Sequence, residues 1–264
     1  VKVLILFGTR PEAIKMAPVV RALRADEAIR TSVCVTGQHR DMLDQVLQLF
    51  DIGTDYNFDL MRQGQDLVDI TTKVLEGTRH VIDVEKPDVV LVHGDTTSAM
   101  AASLAAFYRR TRVGHIEAGL RTGDIRRPWP EELNRRIVDD VADYLFAPTL
   151  RAKEALEHDR LVGQKVIVTG NTVIDTLLMV KRWLEADKQL TSKISEKFAY
   201  LNKRKRLVLV TGHRRESFGV GFQGICRSLS EIGSRGDVEI VYPVHLNENV
   251  WKSVYEELSD NTAI

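Results

Sequence analysis

Two cations, Arg10 and Lys15, stand in Gly8-Thr9-Arg10-Pro11-Glu12-Ala13-Ile14-Lys15, directly after the apolar run Lys2 to Phe7. Pro11 suits the first turn of a helix, and Gly8 frees the turn before it. A helix N-terminus already carries partial positive charge, so two more cations call for an anion such as phosphate, unless both are simply solvated. Three carboxylates recur at similar places. Asp95 follows the apolar run 89–93 and precedes Thr96-Thr97, where it also suits a helix N-cap. Glu117, beside Ala118-Gly119 at the end of another such run, is a poor cap and a better site residue. Glu131 and Arg135 fall four apart at the opening of a helix, either as a surface ion pair or as a carboxylate tuned by a guanidinium. Further on, His213 adjoins Arg214 and Arg215, and several cations at close range are what a phosphate group requires. Carboxylates that move protons, with cations that hold a diphosphate across a cleft between two domains, are the equipment for chemistry on a nucleotide sugar.

Other chemistries lack their residues. The sequence has no Walker A loop, no HExxH spacing and no GxSxG elbow, so it gives no support for a P-loop, for metal catalysis or for an acyl-transfer triad. One GxGxxG occurs, Gly219 to Gly224, but His213 to Phe218 separate it from the preceding strand, which disfavours a nicotinamide cofactor. It reads as a glycine-rich opening of a helix near a phosphate, or as an ordinary loop.

The elements that must position these residues alternate along the chain. Apolar runs at 2–7, 31–36, 89–93, 113–116, 144–147 and 165–169 read as strands, mostly as continuous Val/Ile/Leu, which implies a parallel sheet covered on both faces. Helical periodicity fills 13–23, 41–50, 67–83, 97–108 and 133–141. The expected fold is α/β with two Rossmann-like domains, the second incomplete: a first domain over 1–172, a connecting helix (173–186) and linker over 173–205, and the start of a second domain over 206–264. That second part offers strands at 206–211 and 239–243, a helix at 222–232 and another from about residue 249. With so few strands it is expected to fold poorly by itself beyond Arg206, leaving 1–264 weakly active. The chain of 264 residues is 44% hydrophobic and carries 37 basic against 37 acidic residues, a balance that argues against nucleic acid or a membrane surface as partner. Cys34 and Cys226 are far apart, pointing to a reducing compartment, and no run is long enough for a membrane span.

Residues 8–18, 38–45, 92–96, 114–122, 130–132, 169–172, 212–216 and 243–247 closely resemble the motifs of the non-hydrolysing UDP-N-acetylglucosamine 2-epimerases, and the likeness runs over essentially the whole chain. The resemblance implies the two-domain glycosyltransferase-B architecture, a cytoplasmic homodimer, no cofactor, and UDP-N-acetylglucosamine and UDP as ligands. It implies reversible inversion at C2 by elimination of UDP to 2-acetamidoglucal and re-addition, supplying bacterial surface polysaccharides. Asp95, Glu117 and Glu131 are then the acid/base candidates, with Arg135 orienting Glu131, His213 stabilising the departing UDP, and Arg10 and Lys15 contacting substrate. Relatives continue for roughly another hundred residues, completing a second domain and carrying the groups that hold uridine. Some bind a second UDP-N-acetylglucosamine as activator near the Gln38 segment; Asp41 and Gly64 stand where some of those carry longer polar residues. A hydrolysing epimerase, a retaining glycosyltransferase of the same fold and a silent nucleotide-sugar-binding module are the rival readings.

Overall fold

A computed structural model describes residues 1–37, 40–60, 64–159, 163–211, 220–244, 254–259, 261 and 263–264, and divides the chain into two compact units, Val1–Arg182 and Trp183–Ile264. The first unit is built on strands β1 (Lys2–Phe7), β2 (Arg30–Val35), β3 (Tyr56–Asn57), β4 (Val89–His93), β5 (Arg112–Ile116), β6 (Tyr144–Ala147) and β7 (Lys165–Val168). They form one sheet in the order β3-β2-β1-β4-β5-β6-β7, parallel throughout. Helices α1 (Arg10–Arg24), α2 (Arg40–Leu49), α3 (Leu67–Glu85), α4 (Thr97–Tyr108), α5 (Glu131–Val141), α6 (Leu150–His158) and α7 (Thr172–Ala186) alternate with them, α7 extending into the second unit. This is the doubly wound arrangement. The strand order reverses between β1 and β4, and the crevice outside their carboxyl ends is where ligands bind in such sheets.

The local sequence explains why that crevice forms. β1 is buried from Val3 through Phe7, as its unbroken apolar run requires. The strand turns into α1 at Gly8, where a Cβ would lie 2.2 Å from Thr36 Oγ1, so only glycine fits. α4 lies close on the sheet because its inner residues are small: Ser98, Ala99, Ala101, Ala102, Ala105 and Ala106 are all buried. The principal core gathers Leu4, Leu6, Val74, Val90, Val92, Val113, Val138 and Leu145 beneath the same crevice.

Three elements depart from the sequence expectations. β3 is a two-residue edge strand paired with Cys34 and Val35, too short to carry a hydrophobic pattern. α6 buries only Ala152 and Leu156, one i,i+4 pair. The segment expected to be a linker forms helix α8 (Lys188–Lys197), capped by Asp187, whose carboxylate accepts from the N–H groups of Gln189 and Leu190. None of its residues is buried, which is why its sequence shows no apolar period.

In the second unit, β8 (Arg206–Leu209) and β9 (Val238–Val241) pair in parallel across α9 (Val220–Gly233). Cys226, Leu229, Ile240, Val254 and Leu258 form a small core of its own. No helix among the described residues is long and apolar enough to cross a membrane.

Candidate functional site

The site is assembled at the carboxyl ends of β1, β4 and β5. At β1, Thr9 caps α1, and Glu12 completes the capping box. The Glu12 carboxylate is 3% exposed and does more than cap: it accepts from Gly8 N–H at 3.0 Å, Thr9 N–H at 2.7 Å and the Thr96 hydroxyl at 2.7 Å. It thereby ties the turn after β1 to the turn after β4. Burial pushes its pKa up, against the pull of these hydrogen bonds.

One turn further along α1, Lys15 Nζ lies 2.7 Å from both carboxylate oxygens of Glu117. The sequence pointed to an external anion for this cation; within the chain, Glu117 answers it. Asn171 Nδ2 donates to Glu117 Oε2 at 2.8 Å, and His93 Nε2 lies 3.9 Å from the same oxygen. Burial raises the Glu117 pKa, but the Lys15 hydrogen bond and charge, with His93 and Asn171, outweigh it and hold the group below the ordinary carboxylate range. The backbone at Glu117 has φ +70°, the left-handed region that a side-chain-bearing residue enters at a cost of order 1–3 kcal/mol. Hydrogen bonds from the N–H groups of both Glu117 and Ala118 to the Phe146 carbonyl, each 3.1 Å, hold it there. Such strain, kept where a carboxylate is aimed into a crevice, is characteristic of functional sites.

Asp95 follows Gly94 at the end of β4. It is not the N-cap of α4: the hydroxyl of Thr96 accepts from Ala99 N–H, leaving the Asp95 side chain free of that task. Its carboxylate instead pairs with Arg135, while its backbone carbonyl accepts from Asn134 Nδ2 at 2.9 Å. Among the described residues Arg135 makes no ion pair with Glu131, unlike the i,i+4 pairing expected from the spacing. Its second neighbour is Glu132, 3.5 Å away and fully buried, which also accepts from Arg136 and Thr122 N–H at 3.1 Å each. Glu131, the first residue of α5, is half-buried, and its Oε2 is shielded from water with no hydrogen-bond partner among the described residues. Arg10 is exposed at the start of α1. His213, with Arg214 and Arg215, lies outside the described residues, as does the Gln38 segment.

A second layer lies under the crevice. His115 is fully buried, with Nδ1 2.6 Å from Asp139 and Nε2 2.8 Å from the Gly94 carbonyl, so it fixes the turn that carries Asp95. Arg121 reaches the other oxygen of Asp139 at 2.6 Å. Sequence reasoning passed over Glu12, His93, Glu132 and Asp139. The available signal was polarity at an inward position: Glu132 and Asp139 are seven apart on the face of α5 that also buries Arg135 and Val138.

The sequence matches the UDP-N-acetylglucosamine 2-epimerase family over residues 21–264. The chain belongs to that family. Curated UDP-N-acetylglucosamine 2-epimerases of Yersinia pestis and Escherichia coli K12 are 54% and 52% identical to it over 254 residues, each match covering 96% of this chain and 68% of the relative. A crystal structure of the Neisseria meningitidis UDP-GlcNAc 2-epimerase bound to UDP-GlcNAc superposes with a TM-score of 0.93 at 46% identity, covering 99% of this chain and 70% of that one. The S. aureus MnaA–UDP structure matches with a TM-score of 0.86 at 41% identity, over 100% of this chain and 68% of that one. The chain thus spans 68% of the length of the curated epimerases named here.

Proposed function

We propose that the protein interconverts UDP-N-acetylglucosamine and UDP-N-acetylmannosamine, as an isomerase acting through elimination and re-addition of UDP. The observation that carries this reading is the set of three carboxylates at the ligand-binding edge of one sheet, each in a different state. Glu117 is kept ionised by Lys15, Asp95 is paired with Arg135, and Glu131 carries a shielded oxygen without a partner among the described residues. Groups held in unlike environments can act as base and acid in turn.

The chemistry demands such a pair. The C2 proton of the sugar is not next to a carbonyl, so its direct removal as a proton faces a high barrier. Elimination lowers that barrier. A carboxylate takes the C2 proton, the C2–H electron pair forms the C1=C2 double bond, and the C1–O pair departs with UDP, giving 2-acetamidoglucal. A protonated group on the other face then delivers a proton to C2, and UDP re-adds at C1. Asp95, Glu117 and Glu131 are the candidates for these transfers. Arg135 orients Asp95 and Lys15 holds Glu117, its remaining N–H turned to substrate, while Arg10 and His213 meet the charge that develops on the diphosphate. The reading extends to a domain over 1–172 with the acid/base groups, a connection over 173–205, and a UDP-binding domain beginning at 206. It further places the protein in the cytoplasm as a homodimer that feeds surface polysaccharide synthesis.

The test is product analysis with the whole protein, EDTA present and no nicotinamide added. Incubation from either nucleotide sugar is expected to reach the same mixture of the two, read by proton NMR of the anomeric signals. Release of free N-acetylmannosamine with UDP would identify a hydrolysing epimerase instead, and transfer only to an added acceptor would identify a glycosyltransferase.

A further inference from the structure

His93 ends β4, and its Cα is in register with Ile116, the last residue of β5, which puts it beside Glu117 in the turn that follows. It is 3% exposed, and neither ring nitrogen has a hydrogen-bond partner among the described residues. An imidazole buried in this way is costly unless a partner is gained at some stage of the working cycle. Four groups decide what that partner is. Lys15 from α1 and Asn171 before α7 contact Glu117 directly, His115 stands on the neighbouring β5 opposite Val92, and Glu117 itself is the nearest acid.

Lys15 Nζ and Asn171 Nδ2 can only donate, and the Asn171 carbonyl oxygen already accepts from Val173 N–H at 3.1 Å. They suit an ionised Glu117. Once Glu117 carries a proton, its new O–H needs an acceptor, and neither of these nitrogens can serve. His93 can. Burial outweighs the attraction of Glu117 and pushes the His93 pKa down to about 4, so at neutral pH one ring nitrogen keeps a lone pair.

We propose that His93 is a positioning residue for Glu117, a buried imidazole whose Nε2 accepts the hydrogen bond of the Glu117 carboxyl whenever that carboxyl is protonated. The imidazole proton then sits on Nδ1, and the acid proton stays on Glu117; none passes to His93. The 3.9 Å gap between His93 Nε2 and Glu117 Oε2 closes by about 1 Å when the hydrogen bond forms. The inference rests on the reading of Glu117 as an acid or base. It explains why a polar ring is kept in an apolar strand end beside a carboxylate that is otherwise surrounded by donors.

The experiment follows the Glu117 carboxyl by difference infrared titration of the whole protein, its band assigned by loss in Glu117→Gln. His93→Leu, with His93→Phe as a second apolar replacement, removes the acceptor; His93→Gln returns a carbonyl oxygen near the Nε2 position. The midpoint is expected to fall by about one pH unit in the apolar variants and to recover in His93→Gln, because the protonated form loses and regains its acceptor. In parallel, kcat for epimerisation should drop about tenfold or more in the apolar variants with KM little changed, and recover in His93→Gln. The same midpoint in all variants overturns the inference, even if each melts at a lower temperature, because that is the behaviour of a purely structural ring. The titration needs no turnover. A shifted midpoint in a protein that epimerises nothing would keep the His93 inference and remove the functional reading, whereas normal epimerisation with an unmoved midpoint would do the reverse.

Discussion

Asp95→Asn is expected to lower turnover by about 100-fold or more while leaving the melting temperature within a few degrees of the parent. The amide keeps the shape of the side chain and removes both its charge and its capacity to exchange a proton. A helix-capping role would make the opposite prediction, a stability loss of up to about 2 kcal/mol with the rate spared. The structure assigns that role to Thr96, whose hydroxyl accepts from Ala99 N–H, so α4 retains its cap in the variant. Arg135 also retains a counter-charge, because Glu132 lies 3.5 Å away. Glu117→Gln and Glu131→Gln should depress turnover by a similar factor. Of these, Glu117→Gln is the one expected to cost stability too, since it leaves Lys15 without its partner. Parallel measurement of kcat and melting temperature checks this, and an Asp95→Asn protein that melts early yet turns over normally would return Asp95 to the status of a cap.

The largest stability effect is expected for Asp139→Ala, a loss of about 3–5 kcal/mol in denaturant unfolding of the first unit. Asp139 is fully buried and is contacted by His115 at 2.6 Å, Arg121 at 2.6 Å and Gly119 N–H at 3.3 Å. Removing it leaves Nδ1 of the fully buried His115 without its partner and takes one of two carboxylates from the partly buried Arg121, which keeps Asp159 at 2.8 Å. Burial raises the Asp139 pKa, but His115 and Arg121 outweigh that and hold it below its ordinary value. A carboxyl depressed in the folded state adds stability that is fully present above its unfolded pKa, about 3.9, and is lost as pH falls through the folded value. Asp139→Ala should therefore flatten the acid side of the stability curve as well as lower its plateau. Turnover should fall with it, because His115 also holds the Gly94 carbonyl next to Asp95. A loss under about 1 kcal/mol would mean that the group behaves like an exposed ion pair.

The parts of this molecule that were legible beforehand are those whose signal is local. β1, β4 and β6 are continuous apolar runs, and their bounds in the structure coincide with the runs. α4 likewise starts and ends where its Thr pair and aromatic pair indicate. What escaped depends on tertiary neighbours. Asp95, Thr96 and Thr97 are three cap-competent residues in a row, and only the position of Arg135, forty residues later, takes Asp95 out of that competition. Helical spacing offered Glu131 to Arg135; the packing of α5 beside the β4 turn gave the guanidinium Asp95 and Glu132 instead. The His93–Glu117 approach follows from the register of β4 with β5, which no residue spacing reveals. α8 escaped for another reason: a helix that buries nothing has no periodicity to read.

Turnover of UDP-N-acetylglucosamine by the whole protein in D2O tests the central claim most directly. If a carboxylate of the site removes the C2 proton and another delivers one to the opposite face, the UDP-N-acetylmannosamine formed must carry a single deuteron, at C2. Mass spectrometry gives the count, and loss of the H2 signal in the proton NMR spectrum gives the position. Epimerised product that keeps its original C2 hydrogen would contradict proton transfer through Asp95, Glu117 and Glu131, and with it the elimination.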